Sequence, residues 1–383
     1  MGKVKKQNLS GTQGMIPELR FPDFTNNDQW KADTVQNIVT TKSPPKKLQS
    51  SEYLDEGVFP IIDQSQSFYC GYTNDQQAII NEDLPLVIFG DHTCSLKMAR
   101  EPFAQGADGI KILKSKAFID PEYLYQYLTY NGVKQENYKR HYSKLKEKIV
   151  PYPEFESGEQ QKIASCLSSL DELLAAHNDK LDALKDHKKG LLQNLFPQEG
   201  ETVPKVRFPE FEGDGEWELK TFEELFSIGS GKDYKHLEEG EIPVYGSGGY
   251  MLSVNDYLYD GESVCIGRKG TIDNPIFLTG KFWTVDTLFY THDFNECIPK
   301  FIFYVFLNIN WLNHNEAGGV PSLSKKNLYK IETAVPPTKE EQQKIASCLS
   351  AVDELITAQK EKIEQLQQHK KGLMQGLFPK IES

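Results

Sequence analysis

The sequence predicts an α+β protein of two globular blocks separated by a long antiparallel two-helix coiled coil, with an internal pseudo-twofold repeat. Three observations carry that prediction. Residues 159–197 (EQQKIASCLSSLDELLAAHNDKLDALKDHKKGLLQNLFP) and 341–379 (EQQKIASCLSAVDELITAQKEKIEQLQQHKKGLMQGLFP) match without a gap, at roughly two positions in three, which marks a tandem duplication. A second matched pair opens each block: PELRFPDF at 17–24 with Trp30 just after, and PKVRFPEF at 204–211 with Trp217 just after. The third observation is a 3.5-residue apolar period sustained through both repeats. The expected organisation is an N-terminal tail (1–16), a first block (17–155), a first helix (156–200), a second block (201–337) and a second helix (338–383).

The first block offers few local signals. FGDHT (89–93) stands where the second block has GRKGT, and SPPK (43–46) lacks the aromatic of an amino-methyltransferase loop. A basic run, Lys139, Arg140, His141, Lys144, Lys146 and Lys148 with Tyr138 and Tyr142 interleaved, fits either a solvated helix face or a nucleic-acid contact.

The helix that follows keeps Ile163, Leu167, Leu170, Leu174, His177, Leu181, Leu184, Lys188, Leu191 and Leu195 on one seam, and the second helix keeps Ile345, Leu349, Val352, Ile356, Gln359, Ile363, Leu366, Lys370, Leu373 and Leu377. A strict 3.5 period over five heptads indicates a coiled coil, each helix being roughly 57 Å long at 1.5 Å per residue. Gly190 and Gly372 weaken the helices by about 1 kcal/mol each, and Pro197 and Pro379 mark their ends. A parallel homodimer would satisfy the seams. Connectivity favours intramolecular pairing, because the first helix carries the chain to the second block and an antiparallel second helix returns it, which gives a dumbbell. Central alignment then sets Ile163 beside Leu377, Leu195 beside Ile345, His177 against Ile363 and Leu181 against Gln359.

The second block holds the densest unusual chemistry. Short β-type runs such as residues 242–245 and 263–266 alternate with glycine-rich turns. GSGK at 229–232 fails as a phosphate loop, since Asp233 stands where Ser or Thr must bind magnesium and Phe226 where the first glycine belongs. GRKGT at 267–271 sets two cations between glycines, which suits phosphate or base-edge contact and equally an exposed charged hairpin turn. AGGVPS at 317–322, followed by Lys325 and Lys326, is a further close-approach loop.

Composition points to a soluble intracellular protein. The most apolar stretch, 301–312, is too short and polar to span a bilayer, and the N-terminus lacks the apolar run of a signal peptide. The six cysteines show no metal-ligand spacing. A net charge of -12 opposes a nucleic-acid partner overall without excluding one locally. NPIF at 274–277 lacks the second proline of an amino-methyltransferase loop, and no Walker motif, nuclease carboxylate cluster or nucleophile elbow is found. The chain reads as one that recognises and holds without catalysing.

Alternating variable blocks and repeated EQQKIAxCLSxxDEL helices, entered through YPEFESGEQQKIA (152–164) and VPPTKEEQQKIA (335–346), resemble the specificity subunit of Type I restriction-modification enzymes. GRKGT, GKFWTVDTLF (280–289), GGVPSLSKKNL (318–328) and FGDHTCSLK carry the same resemblance. It implies two target recognition domains, each reading one half of a split double-stranded DNA sequence. It also implies a helical pair that spaces them and docks two methyltransferase subunits, to which restriction/translocase subunits add. Adenine methylation and ATP-dependent cleavage would be performed by those partners, with AdoMet, ATP and magnesium bound there and none in this chain, in the cytoplasm and away from membranes. The DNA-contact candidates are Lys46, Lys47, Asp91, His92, Thr93, Lys97, Lys139, Arg140, Tyr142, Lys144 and Lys146 in the first block. In the second they are Ser230, Lys232, Tyr245, Ser247, Tyr250, Arg268, Lys269, Thr271, Ser322 and Lys325. The alternative class is a structural adaptor whose rod spaces two protein-binding domains. Beyond their first fifteen or so residues the two blocks align poorly.

Overall fold

The computed structural model describes residues 15–107, 109–136, 139–198 and 200–381. The expected tail therefore lies almost wholly outside the described residues, as does Tyr138 of the basic run. The chain divides into two compact units, residues 1–178 with 361–383 and residues 179–360.

Among its described residues the first unit has ten strands: β1 (Lys31–Thr34), β2 (Val39–Lys42), β3 (Phe59–Ile62), β4 (Gly71–Thr73), β5 (Ile79–Ile80), β6 (Leu86–Gly90), β7 (Leu96–Ala99), β8 (Phe103–Gln105), β9 (Ile110–Ser115) and β10 (Ile149–Tyr152). They form a β1-β10 pair and two four-stranded sheets, ordered β2-β9-β6-β7 and β4-β3-β8-β5. The LVIFG run of β6 is buried at every position, as a continuous apolar run demands of a strand covered on both faces. Three short helices complete the block, α1 (Val35–Ile38), α2 (Pro121–Asn131) and α3 (Tyr142–Glu147). Pro121 at the first position and the Asp120 carboxylate accepting from the Tyr123 N–H start α2. The block then enters the long helix α4 (Glu159–Leu195).

The second unit repeats this plan after α4. Its strands are β11 (Glu218–Thr221), β12 (Ser227–Ser230), β13 (Glu239–Gly246), β14 (Gly249–Val254), β15 (Tyr259–Asp260), β16 (Ser263–Gly267), β17 (Ile276–Leu278), β18 (Lys281–Thr284), β19 (Leu288–His292) and β20 (Glu332–Val335). They form a β11-β20 pair and sheets β12-β19-β16-β17 and β14-β13-β18-β15. Every strand n of the first unit has strand n + 10 in the same place and order. The match extends to the one parallel neighbour, β3 with β8 and β13 with β18, and to the helices α5 (Phe222–Leu225), α6 (Pro299–Asn308) and α7 (Lys325–Leu328). The poor alignment of the blocks therefore conceals one topology used twice.

The matched phrases have matched structural work. Arg20 donates two bonds to the buried Glu159 carboxylate (2.8 and 2.7 Å), and Arg207 does the same to Glu341 (2.8 and 2.7 Å). So the RFP arginine of each block clamps the first residue of the EQQ helix start, a bidentate, largely dry ion pair. The next residue ties that helix to the α2 or α6 start. Gln160 accepts from the Asp120 N–H (2.8 Å) and donates to the Phe118 and Pro153 carbonyls; Gln342 accepts from the Ile298 N–H (2.9 Å) and donates to the Glu296 carbonyl.

The repeated helix ends are equally specific. In the first unit the core of Trp30, Val87, Phe89, Tyr123 and Tyr127 takes in Ile163 and Leu167 of α4 and, from helix α8 (Lys339–Leu377), Met374 and Leu377, followed by Phe378. The second unit gathers Trp217, Phe222, Phe301 and Trp311 with Leu195 and Phe196 and with Ile345 and Leu349 of α8. Phe378 packs on Tyr127 at 5.3 Å, and Phe196 stacks on Phe301 at 5.4 Å, so the LFP phrase is a plug for a globular core. The Leu19 N–H bonds the Gly376 carbonyl, and the Val206 N–H bonds that of Asn194. Asp171 pairs with Lys370 and accepts from Gln126; Asp353 pairs with Lys188 (2.6 Å) and accepts from Tyr304 (2.8 Å).

Both long helices run through Gly190 and Gly372 without interruption. All seam residues of α8 from Ile345 to Lys370 are buried, whereas in α4 only Ile163, Leu167 and Leu195 are, the seam between them being half-exposed. Among the described residues no helix is long and apolar enough to cross a membrane.

Candidate nucleic-acid interface

In the second unit, three segments separated in sequence meet. The GRKGT turn leaves the end of β16, where the Gly267 backbone passes so close to Thr271 that a Cβ on Gly267 would sit 1.9 Å from the Thr271 carbonyl oxygen. The AGGVPS loop lies against this turn: Lys269 bridges Ser322, the Gly270 N–H donates to the Pro321 carbonyl (2.9 Å) and the Leu323 N–H to the Arg268 carbonyl (2.9 Å). The third segment is the β13–β14 hairpin tip, whose Ser247 hydroxyl lies 3.3 Å from where a Gly270 Cβ would be. Gly249 adopts φ +104° there, the left-handed region that glycine enters without strain. Beside it Tyr250 is 62% exposed and packs edge-on against Tyr245. Thus Ser247, Tyr250, Arg268, Lys269, Thr271, Ser322 and Lys325 belong to one cluster, flanked by a cleft of about 520 Å³ lined by residues 233–235, 246–251 and 285–287.

Two cations of this cluster stand outside any ion pair. Among the described residues neither Arg268 nor Lys325 has an ion-pair partner within 4 Å, while Arg268 rests over the Phe289 ring at 5.9 Å. Burial first, and then the Arg268 charge, lowers the Lys325 ammonium below the usual lysine value. An anion seated here would relieve that repulsion.

Ser230 and Lys232 have a different setting. Gly229 and Gly231 of GSGK are demanded by packing, since a Cβ on Gly229 would fall 2.1 Å from the Tyr290 ring and one on Gly231 2.0 Å from the Val285 carbonyl. Ser230 ends β12, and Lys232, exposed, is fixed by its main chain to Thr284 and to the Trp283 indole.

The GDHT turn of the first unit occupies the place of GRKG. Asp91 donates its N–H to the Gly109 carbonyl (2.6 Å) and accepts at its own carbonyl from the His141 N–H (2.8 Å). Arg268 correspondingly donates to the Thr287 carbonyl (2.8 Å) and accepts from Leu323. Two first-block candidates need correction. Asp91 is buried, its carboxylate capping the His141 and Tyr142 N–H groups (2.9 and 2.8 Å). Lys97 is buried too, and donates to the carbonyls of Asp63 (2.8 Å) and Ser67 (2.6 Å). Both side chains build the frame and are not presented to a ligand. Burial lowers the Lys97 ammonium, opposed by the nearby Asp63 charge. The Thr93 hydroxyl also turns inward, donating to the Gln64 carbonyl (2.7 Å), and the His92 main-chain N–H meets the Gln64 side-chain oxygen (3.3 Å).

Of the basic run, Lys139, Arg140 and Lys144 are exposed, Lys146 and Lys148 are half-buried, and His141 is fully buried. Lys139 and Lys144 both pair with Glu136 (2.9 and 2.7 Å), and those bonds depress the Glu136 carboxyl to about 2. Lys146 lies over the Tyr142 ring at 5.7 Å, and Arg140 is exposed. Lys46 pairs with Asp75 (2.8 Å), and Lys47 bridges Gln105. No group of three or more His, Cys, Asp or Glu side chains capable of holding a metal is found among the described residues.

Comparison with known proteins places this architecture. The family model for the Type I restriction modification DNA specificity domain matches twice, at residues 27–186 and 214–368. Two Methanocaldococcus jannaschii proteins are similar. The type I restriction enzyme MjaVIII specificity subunit is 24% identical over 98% of this chain and 96% of its own length. The MjaX specificity subunit is 26% identical over 67% of this chain, and the match spans 64% of that protein. Among solved structures, the Type-I restriction-modification system S subunit from M. genitalium superposes with a TM-score of 0.71 at 19% identity, over 96% of this chain and all of that one. A chain from a study of complex assembly and conformational transition in a type I R-M system gives 0.53 at 14% identity, over 91% and 97%.

Proposed function

Because the chain belongs to the Type I restriction modification DNA specificity family, with two copies of its domain, we propose that each copy reads one half of a split duplex DNA target. One observation carries this reading: the same ten-strand plan occurs twice, with different side chains at the same turn, Asp91-His92 in one and Arg268-Lys269 in the other. A shared frame with exchanged tips is what two independent readers of unlike half-sites require. The Arg268, Lys269 and Lys325 cluster supplies the phosphate or guanine-edge contacts of the second domain. Replacing Arg268 and Lys269 by Ala tests it. DNA binding by the assembled complex should weaken and its salt slope flatten, while methyltransferase capture is retained; unchanged affinity and slope would overturn the assignment.

The long helices form an antiparallel coiled coil in this reading. Ile163 with Leu377 in one core, Leu195 with Ile345 in the other, and the Asp171–Lys370 and Lys188–Asp353 pairs all support it. The helices also dock two methyltransferase subunits. Leu173 and Leu355 hold equivalent places off the seam and are 42% and 56% exposed. Gly190 and Gly372 are equivalent too, and an added Cβ at either meets nothing within 4 Å. A mid-helix glycine costs about 1 kcal/mol relative to alanine, and no contact within the described chain asks for it. Close approach of a partner does. Methylation and cleavage, with AdoMet, ATP and magnesium, then belong to the methyltransferase and restriction subunits, and this chain contributes recognition alone.

A further inference from the structure

The strand-by-strand repeat locates a loop in the first unit that the DNA-contact candidates do not include. In the second unit the β13–β14 hairpin tip stands beside the GRKG turn. Its counterpart is the longer β3–β4 connection, residues 63–70, with the sequence DQSQSFYC. The base of that loop is held by hydrogen bonds from the GDHTCSLK segment. Thr93 and Ser95 hydroxyls donate to the Gln64 carbonyl (2.7 and 3.2 Å), and Lys97 joins the Asp63 and Ser67 carbonyls. The Ser65 N–H closes on the Asp63 carboxylate (2.8 Å). Within this rigid base the tip Gln66, Ser67 and Phe68 is exposed, Phe68 by 43%. Phe68 lies in the connection just before β4, near where Tyr250 opens β14 in the second unit, and its ring is braced edge-on by Tyr69 at 4.8 Å.

We propose that the Gln66-Ser67-Phe68 tip is the base-reading element of the first domain, and that it reads an A·T pair in the major groove of that domain's half-site. This rests on the DNA-recognition reading above. The major groove admits a two-stranded ribbon, and there a Gln amide matches the N6 and N7 edge of adenine while a phenyl ring contacts the thymine methyl. Holding the base of the loop by three side chains removes most of the ordering cost of such a contact. The exposed Arg140 and the half-buried Lys146 of the same unit are left to the DNA backbone, and the inward-facing candidates become positioning residues.

The experiment maps the methylated motif in cells carrying the complete system with wild-type chain, Q66A or F68A. The half-site of the first domain is fixed beforehand as the one that survives exchange of residues 204–335. Either variant should make one A·T position of that half-site degenerate and leave the other half-site intact. Where methylation is lost altogether, the purified complex is titrated with duplexes substituted at each position in turn. Discrimination at a single A·T pair should then fall roughly tenfold or more. A motif unchanged in both variants, undiminished discrimination in the titration, or degeneracy confined to the other half-site overturns the proposal. A wild-type chain that directs no split motif would instead overturn the DNA-recognition reading beneath it.

Discussion

Arg207 and Glu341 make an ion pair whose side chains are 9% and 1% exposed, and Glu341 also accepts from the Trp217 indole at 3.2 Å. The pair joins the entry phrase of the second block to the first turn of α8, so a residue-level change there is a change in how a whole block is seated. Removing one member of such a pair leaves a charge in low dielectric without its counter-ion, at a cost on the order of 3 kcal/mol. Glu341→Gln should therefore loosen the second unit and spare the first. Hydrogen exchange read by mass spectrometry would show faster exchange across residues 218–335 and unchanged rates across 31–152. Glu159→Gln should give the mirror result through Arg20. Uniform acceleration in both units would mean that these pairs do not hold their blocks separately.

The elements divide into those that sequence announces and those that only packing reveals. The two long helices were legible because a 3.5 period repeated over five heptads marks a long helix, and the seam of α8 from Ile345 to Lys370 is buried throughout. The strands were mostly illegible. β5 and β15 have two residues each, β4 and β8 three, too few for alternation to register. The shared topology of the blocks was likewise hidden, because register here is held by backbone bonds and buried contacts that many side chains satisfy. Of the candidate contacts, the GRKG turn was legible as cations between glycines, whereas the β3–β4 tip carries polar and aromatic residues with no spacing signal. Asp91 and Lys97 misled because a charged residue near a turn reads the same whether it faces a ligand or the loop's own carbonyls. The exposed Leu173 and Leu355 make the element-scale prediction. Leu173→Glu or Leu355→Glu should each reduce the captured methyltransferase subunits from two to one by native mass spectrometry, and together abolish capture, with helicity unchanged. Two subunits retained by both single variants would move the docking face elsewhere.

At the scale of the whole chain, duplication sets what can be exchanged. Each unit closes its own core with the start of one long helix and the end of the other, and the hydrogen bonds, ion pairs and aromatic contacts described above for a unit are made within it. A block can then be replaced provided the residues that seat it survive: the RFP arginine, the EQ of the helix start, the DEL aspartate and the LFP phenylalanine. Exchange of residues 204–335 for the matching block of a relative keeps Glu341, Gln342, Asp353 and Phe196 in this chain and brings a new arginine in the entering phrase. The first unit contributes nothing to that set and should be unaffected. The methylated motif of cells carrying the exchange should accordingly change in one half-site and keep the other. Matched seven-residue insertions in the two helices, which preserve seam phase, should alter the unread spacer and leave both half-sites as they were. An exchange that rewrites both halves, or an insertion that rewrites either, would mean that reading is a joint property of the two units and that the repeated helices take part in it.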